Sequence, residues 1–153
     1  MHKFAYFPVV LGMLLLSPAL WGLKVQVGSF FEIDKITYKK GRLVLPTTRR
    51  KYHNIRVLDR ETFLWIATCK DQTICKQALE KMPFQIVQIR RAATRPNMWI
   101  ADVSFAQKWL VTFLVFKNEN GYALEAPKVF KFLDLQLQTQ VLDALRADLE
   151  NGK

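Results

Sequence analysis

The chain has few of the residues that catalysis most often uses. Its 153 residues hold two histidines, two cysteines and six glycines. Serine occurs only at Ser17, Ser29 and Ser104, and none lies in the glycine-flanked turn that exposes a nucleophile. Glycine is too sparse for a phosphate-cradling loop, since neither G-x-G-x-x-G nor G-x-x-x-x-G-K is present. The H-E-x-x-H spacing of a metalloprotease is missing as well. Glu32, Asp34, Asp102, Glu119 and Glu125 supply carboxylates, but no spacing pairs two of them for glycosidase chemistry. His53 sits in a basic, polar stretch after Tyr52 and reads as an exposed or hydrogen-bonding group. No cofactor or metal is expected, and the reading is of a non-enzymatic protein. A small hydrolase of unknown chemistry is kept as an alternative.

The N-terminus, in contrast, is rich in signal. Met1, His2 and Lys3 make a short basic start, and Phe4 to Leu16 is an uncharged apolar run. Ser17-Pro18-Ala19 then spaces small residues as a signal peptidase requires. The run is shorter than the roughly 20 residues of a membrane-crossing helix. Residues 1–19 are therefore expected to be a signal peptide cut after Ala19, or less well after Gly22, leaving 20–153 as one α+β domain. An uncleaved inner-membrane anchor is the alternative. No cysteine near either cut offers a lipid attachment point, and no twin arginine is present. The expected location is exported, periplasmic or secreted.

Cys69 and Cys75 are the only cysteines. In an oxidising compartment such a pair favours a disulfide, and closing so small a loop contributes about 2 kcal/mol in the chain-entropy model. A redox pair holds its sulfurs two residues apart at a helix start, which these do not. The bridge is expected to be structural.

Val25 to Phe31 and Ile33 to Tyr38 have strand composition, and Lys39-Lys40-Gly41-Arg42 forms a turn into Leu43 to Leu45. Asp59 is placed to cap a helix from Arg60, against the strand propensity of Thr62 to Thr68. Ile74, Cys75, Ala78, Leu79 and Met82 fit one helical face, capped by Asp71 or Thr73 and stopped by Pro83. From Phe84 the period becomes two. Strands are expected over Phe84 to Ala92, Met98 to Ala106 and Trp109 to Phe116, followed by a hairpin at Asn118-Glu119-Asn120-Gly121 and a further strand ended by Pro127. A final amphipathic helix runs from about Asp134 to Glu150. The fold class is α+β: a mainly antiparallel meander with two or three helices on one face. Trp109 to Phe116 is apolar on both sides, so its second face needs a cover or a partner.

The net charge is +10, with 23 basic and 13 acidic residues. Nearly all of the excess lies between Lys35 and Arg60, where nine basic residues face one acid, Asp59. Within it Lys39, Lys40, Arg42, Arg49, Arg50, Lys51 and Arg56 form a candidate surface for an anionic partner. Outside the cytoplasm that partner is a lipid headgroup, lipopolysaccharide, an acidic wall polymer or an acidic protein surface, and a homo-oligomer is a separate possibility for covering the second sheet face. Export and the lack of a nucleic-acid motif argue against nucleic acid. A solvated face that serves only solubility is the plain alternative. The functional expectation is an exported bacterial envelope protein, an adaptor or binding module. A periplasmic carrier of a lipid or apolar ligand, with its pocket between sheet and last helix, is the second reading.

Overall fold

The computed structural model describes residues 22–40, 42–46 and 54–152. The expected leader with Ala19, and the polar stretch holding Arg49, Arg50, Lys51 and His53, lie outside the described residues. Among those described, the order is β1 (Leu23–Val27), β2 (Phe31–Lys39), β3 (Arg42–Val44), β4 (Ile55–Val57), α1 (Arg60–Ala67) and β5 (Ile74–Gln77). It continues with β6 (Phe84–Arg91), β7 (Met98–Phe105), β8 (Trp109–Asn118), β9 (Gly121–Glu125), β10 (Phe130–Phe132) and α2 (Leu135–Glu150).

These strands make two sheets rather than one meander. In the first the order is β10-β2-β1-β5, and β3 pairs with the last residues of β2. In the second the order is β6-β7-β8, with β4 and β9 both on the far side of β8, opposite its first and last residues. All pairings are antiparallel except β1 with β5. Alternation along each strand fixes a face but not a partner strand, so the sequence pattern cannot separate one sheet from two.

The inner faces share one core. Val25, Val27, Phe31 and Ile33 of the first sheet and Val103, Phe105, Trp109, Val111 and Phe113 of the second are all fully buried. The ring of Phe31 lies 5.2 Å from Phe105 and meets Trp109 edge-on at 6.4 Å. Phe130 and Phe132 of β10 continue this aromatic layer, with Phe132 stacked on Phe113 at 5.7 Å. Burying groups of this size supplies most of the drive to fold.

Each helix begins at an aspartate. Asp59 accepts from the Thr62 backbone N–H, and Asp134 accepts from those of Gln136 and Leu137. Helix α2 buries Leu137, Val141 and Leu145 and touches β6, β9 and β10. Helix α1 adjoins β4, and its buried Ile66 lines the same small cavity as Leu23 and Ile36. The helices thus serve different parts of the two sheets, not one shared face.

Two expectations are corrected, and one strand was not foreseen. Ile74 to Met82 is not a helix: Ile74–Gln77 is a strand parallel to β1. Cys75 is buried and Gln77 and Leu79 are half-buried, alternating with exposed neighbours, so a period of two fits these residues as well as a helical one. Hydrogen bonds from Lys24 N to Thr73 O and from Gly28 N to Gln77 O decide for the strand. Val25 to Phe31 is broken by a turn at Gly28 to Phe30, where Gly28 has φ of +53°. Phe130–Phe132 is a strand that too short a run concealed.

Gly22 shows how tightly the start of β1 is seated. Its φ is +84°, and a Cβ there would come within 2.9 Å of the Lys35 Cα. Lys35 itself has φ of 62° where β2 bulges against β1. Two backbones meet here with no room for a side chain.

Candidate anionic-partner surface

Three of the carboxylates singled out in the sequence, Asp102, Asp34 and Glu32, each have a separate partner among the described residues. Asp102 accepts a hydrogen bond from Thr112 Oγ1 at 2.6 Å, across β7 and β8. Asp34 accepts from the Lys35 backbone, and Glu32 pairs with Lys24 at 3.8 Å. Ser104 is buried and reaches only the Gln85 carbonyl. Among the described residues no three of His, Cys, Asp and Glu gather as metal ligands would. The Asp59 carboxyl is held below its ordinary range. Burial opposes its ionisation, but hydrogen bonds from Thr62 and Lys108 and the Lys108 charge outweigh this and hold it low. That is the environment of a helix cap tied to a neighbouring turn.

Cys69 and Cys75 are bridged, with Cα atoms 5.8 Å apart. Both are buried, so the bond joins the end of α1 to β5 beneath the surface.

The basic residues are distributed unequally. Lys39 ends β2, Arg42 opens β3, and the register sets them directly opposite one another. Lys40 lies in the turn between them at φ of 49°, a left-handed conformation that costs a residue with a side chain about 1 kcal/mol. Like charges facing each other across strands cost a further few tenths of a kcal/mol or more. All three are exposed, and among the described residues none has a carboxylate partner. Arg56 is placed elsewhere. It lies on β4, opposite Leu110, on the face of the second sheet turned from the core.

The hairpin is part of a wider basic plane. On the outer face of the first sheet one row reads Lys131, Glu32, Gln26, Lys76, from β10 across β2 and β1 to β5. Beside it Lys24 pairs with Ile74, and further along β2 Thr37 pairs with Val44 and Lys39 with Arg42. Lys24, Lys39, Arg42, Lys76 and Lys131 thus share one face, whose only carboxylates among the described residues are Glu32 and Asp34. Ile74 and Val44 stand among them, 48% and 40% exposed. Lys24, Lys76 and Lys131 lie outside the basic stretch of the sequence. The available signal was alternation: each is flanked by inward residues (Leu23 and Val25, Cys75 and Gln77, Phe130 and Phe132).

The opposite face of the molecule differs in chemistry. There Met98, Ile100 and Leu114 are buried with Ala92 in a second, smaller apolar cluster against Phe116. The second face of the central strand is therefore sequestered over these residues. As for cavities, one of about 10 Å³ lies among Leu23, Ile36, Tyr38, Leu43 and Ile66, enough for about one water. Clefts of about 300 Å³ by Phe84 and Ala106 and about 440 Å³ by Leu135 and Thr139 are open to solvent. None of these three lies between α2 and the sheets.

Comparison with protein-family models, with curated proteins and with solved structures finds no match for this chain. Class rests on the fold alone: α+β, with two sheets, mostly antiparallel, and two helices among the described residues.

Proposed function

We propose that this is an exported, disulfide-bonded binding module of a bacterial envelope, whose basic surface holds an anionic partner. The observation that carries this reading is the β2–β3 hairpin. Lys39, Lys40 and Arg42 crowd one turn, against both like-charge repulsion and backbone preference, and no described carboxylate neutralises them. A protein needing only solubility has no reason to accept that cost, because charges spread over any surface achieve it. The buried bridge between Cys69 and Cys75 is compatible with an oxidising compartment. A cut after Ala19 would leave Gly22 in its close seat against Lys35, whereas a cut after Gly22 would remove it. Cleavage after Ala19 is therefore the preferred form of the reading.

The experiment is fractionation of the native host. The protein should travel with envelope material at low salt and be released by raised salt. Charge reversal at Lys39, Lys40 and Arg42 should release it already at low salt. A protein found entirely inside the cell with residues 1–19 attached, or a triple reversal that fractionates unchanged, would refute the reading.

A further inference from the structure

We infer that the contact plane is the whole outer face of the first sheet, and that its occupant is a bilayer surface rich in anionic phospholipid. This rests on the functional reading above for the sign of the partner's charge. It goes further in naming the plane and the chemistry that covers it.

Three properties of the face point to a lipid surface. Its cations come from strands distant in sequence, Lys24 on β1 and Lys131 on β10 being the extremes, yet the pairing register brings these two strands to either side of β2 with both lysines on the same face. The row from Lys131 to Lys76 crosses three strand spacings, roughly 14 Å. Along β2 the face runs from Glu32 to Lys39, roughly 23 Å at strand rise. This is a broad plane and not a cleft.

The cations are also nearly all lysine. Lysine is a mobile point charge, without the planar fork by which arginine grips one phosphate in fixed geometry. Four lysines and one arginine so spread match a fluid layer of phosphates better than a single anion in a built site. Two carboxylates subtract from this charge: Glu32 pairs with Lys24, and Asp34, which accepts from the backbone N–H of Lys35, stays an anion, so five cations against two anions leave the face at +3.

Finally, Ile74 on β5 and Val44 on β3 rise among the cations from opposite edges of the sheet. A soluble polyanion offers these aliphatic groups nothing. A headgroup layer lets them enter the acyl boundary while the lysines remain with the phosphates.

The test is flotation of the disulfide-bonded protein with vesicles of phosphatidylglycerol and phosphatidylcholine, or of phosphatidylcholine alone, at low and high salt. Binding is expected only to the anionic vesicles, reversed by salt. Lys76→Glu and Lys131→Glu, both far from the hairpin, should each lower the partition coefficient roughly tenfold. Ile74→Ser should weaken binding while leaving its salt dependence intact. Arg56→Glu, on the other sheet, should have no effect. Unchanged thermal midpoints for these surface variants establish that folding is intact.

The inference is overturned if the anionic vesicles are not bound, or if Lys76→Glu and Lys131→Glu bind as the parent does. Binding to lipopolysaccharide aggregates, a wall polymer or an acidic protein in place of phospholipid vesicles overturns it too. In that last case the hairpin reversals would still free the protein from the envelope, and the broader reading would stand. Loss of both effects defeats both readings.

Discussion

The indole N–H of Trp109 donates to the side-chain oxygen of Gln77 across 3.3 Å, and this bond runs from one sheet to the other. Trp109 is fully buried, so its single donor has no access to water. Replacing Gln77 with leucine keeps the volume but removes the acceptor. The expected loss is about 1–3 kcal/mol, the cost of a buried donor left unpaired. Chemical denaturation followed by tryptophan fluorescence measures it.

Asp59 couples α1 to the β7–β8 turn through Lys108, at 3.3 Å. Its carboxyl is held below the ordinary value, so the unfolded chain takes up its proton first as pH falls. The stabilisation is complete above the unfolded pKa, about 3.9, and is lost as pH drops through the folded one. Asp59→Asn retains a capping residue and should flatten that acid limb of the stability curve. Asp59→Ala should in addition cost about 1 kcal/mol at neutral pH, through loss of the cap. Thermal midpoints between pH 3 and 7 separate the two effects.

Ala106 and Gln107 form the β7–β8 turn with φ of 53° and 56°. Neither is glycine, and each carries the penalty of a left-handed backbone. Gln107→Gly should therefore stabilise the protein by about 0.5–1 kcal/mol, once the greater flexibility of the unfolded glycine is allowed for. A fall in denaturation midpoint would contradict this.

The bond between Cys69 and Cys75 closes a short loop, so Cys69→Ala with Cys75→Ala should cost about 2 kcal/mol. Because both sulfurs are buried, mild reductant should cleave the bond slowly in the folded protein and quickly in denaturant. Timed alkylation with mass measurement gives both rates.

How much was legible differs by element. Both capped helices could be read, because an aspartate followed by an apolar period is a local device: Asp59 precedes Arg60–Ala67, and Asp134 precedes Leu135–Glu150. Strands β6 to β9 could be read because long alternation and the Asn118 to Gly121 turn act within one segment. What failed depended on partners distant in the chain. Ile74–Gln77 is a strand only because β1 lies beside it, and Phe130–Phe132 only because β2 does. The basic surface shows the same division. The hairpin of Lys39, Lys40 and Arg42 was visible as a charge run, but Lys76 was hidden by a helical reading and Lys131 by a missed strand. Arg56 shares the run and not the face.

The parallel partnership of β1 and β5 bears on timing. β1 is the first described strand after the apolar leader, yet its second neighbour arrives only with residues 74–77. Nothing local can stand in for that neighbour, so the early part of the chain stays incomplete until about half of it has been made. Topologies with such long-range closure fold slowly compared with helical bundles. Under the export proposed above, that delay would keep the leading segment threadable until the pore had taken it.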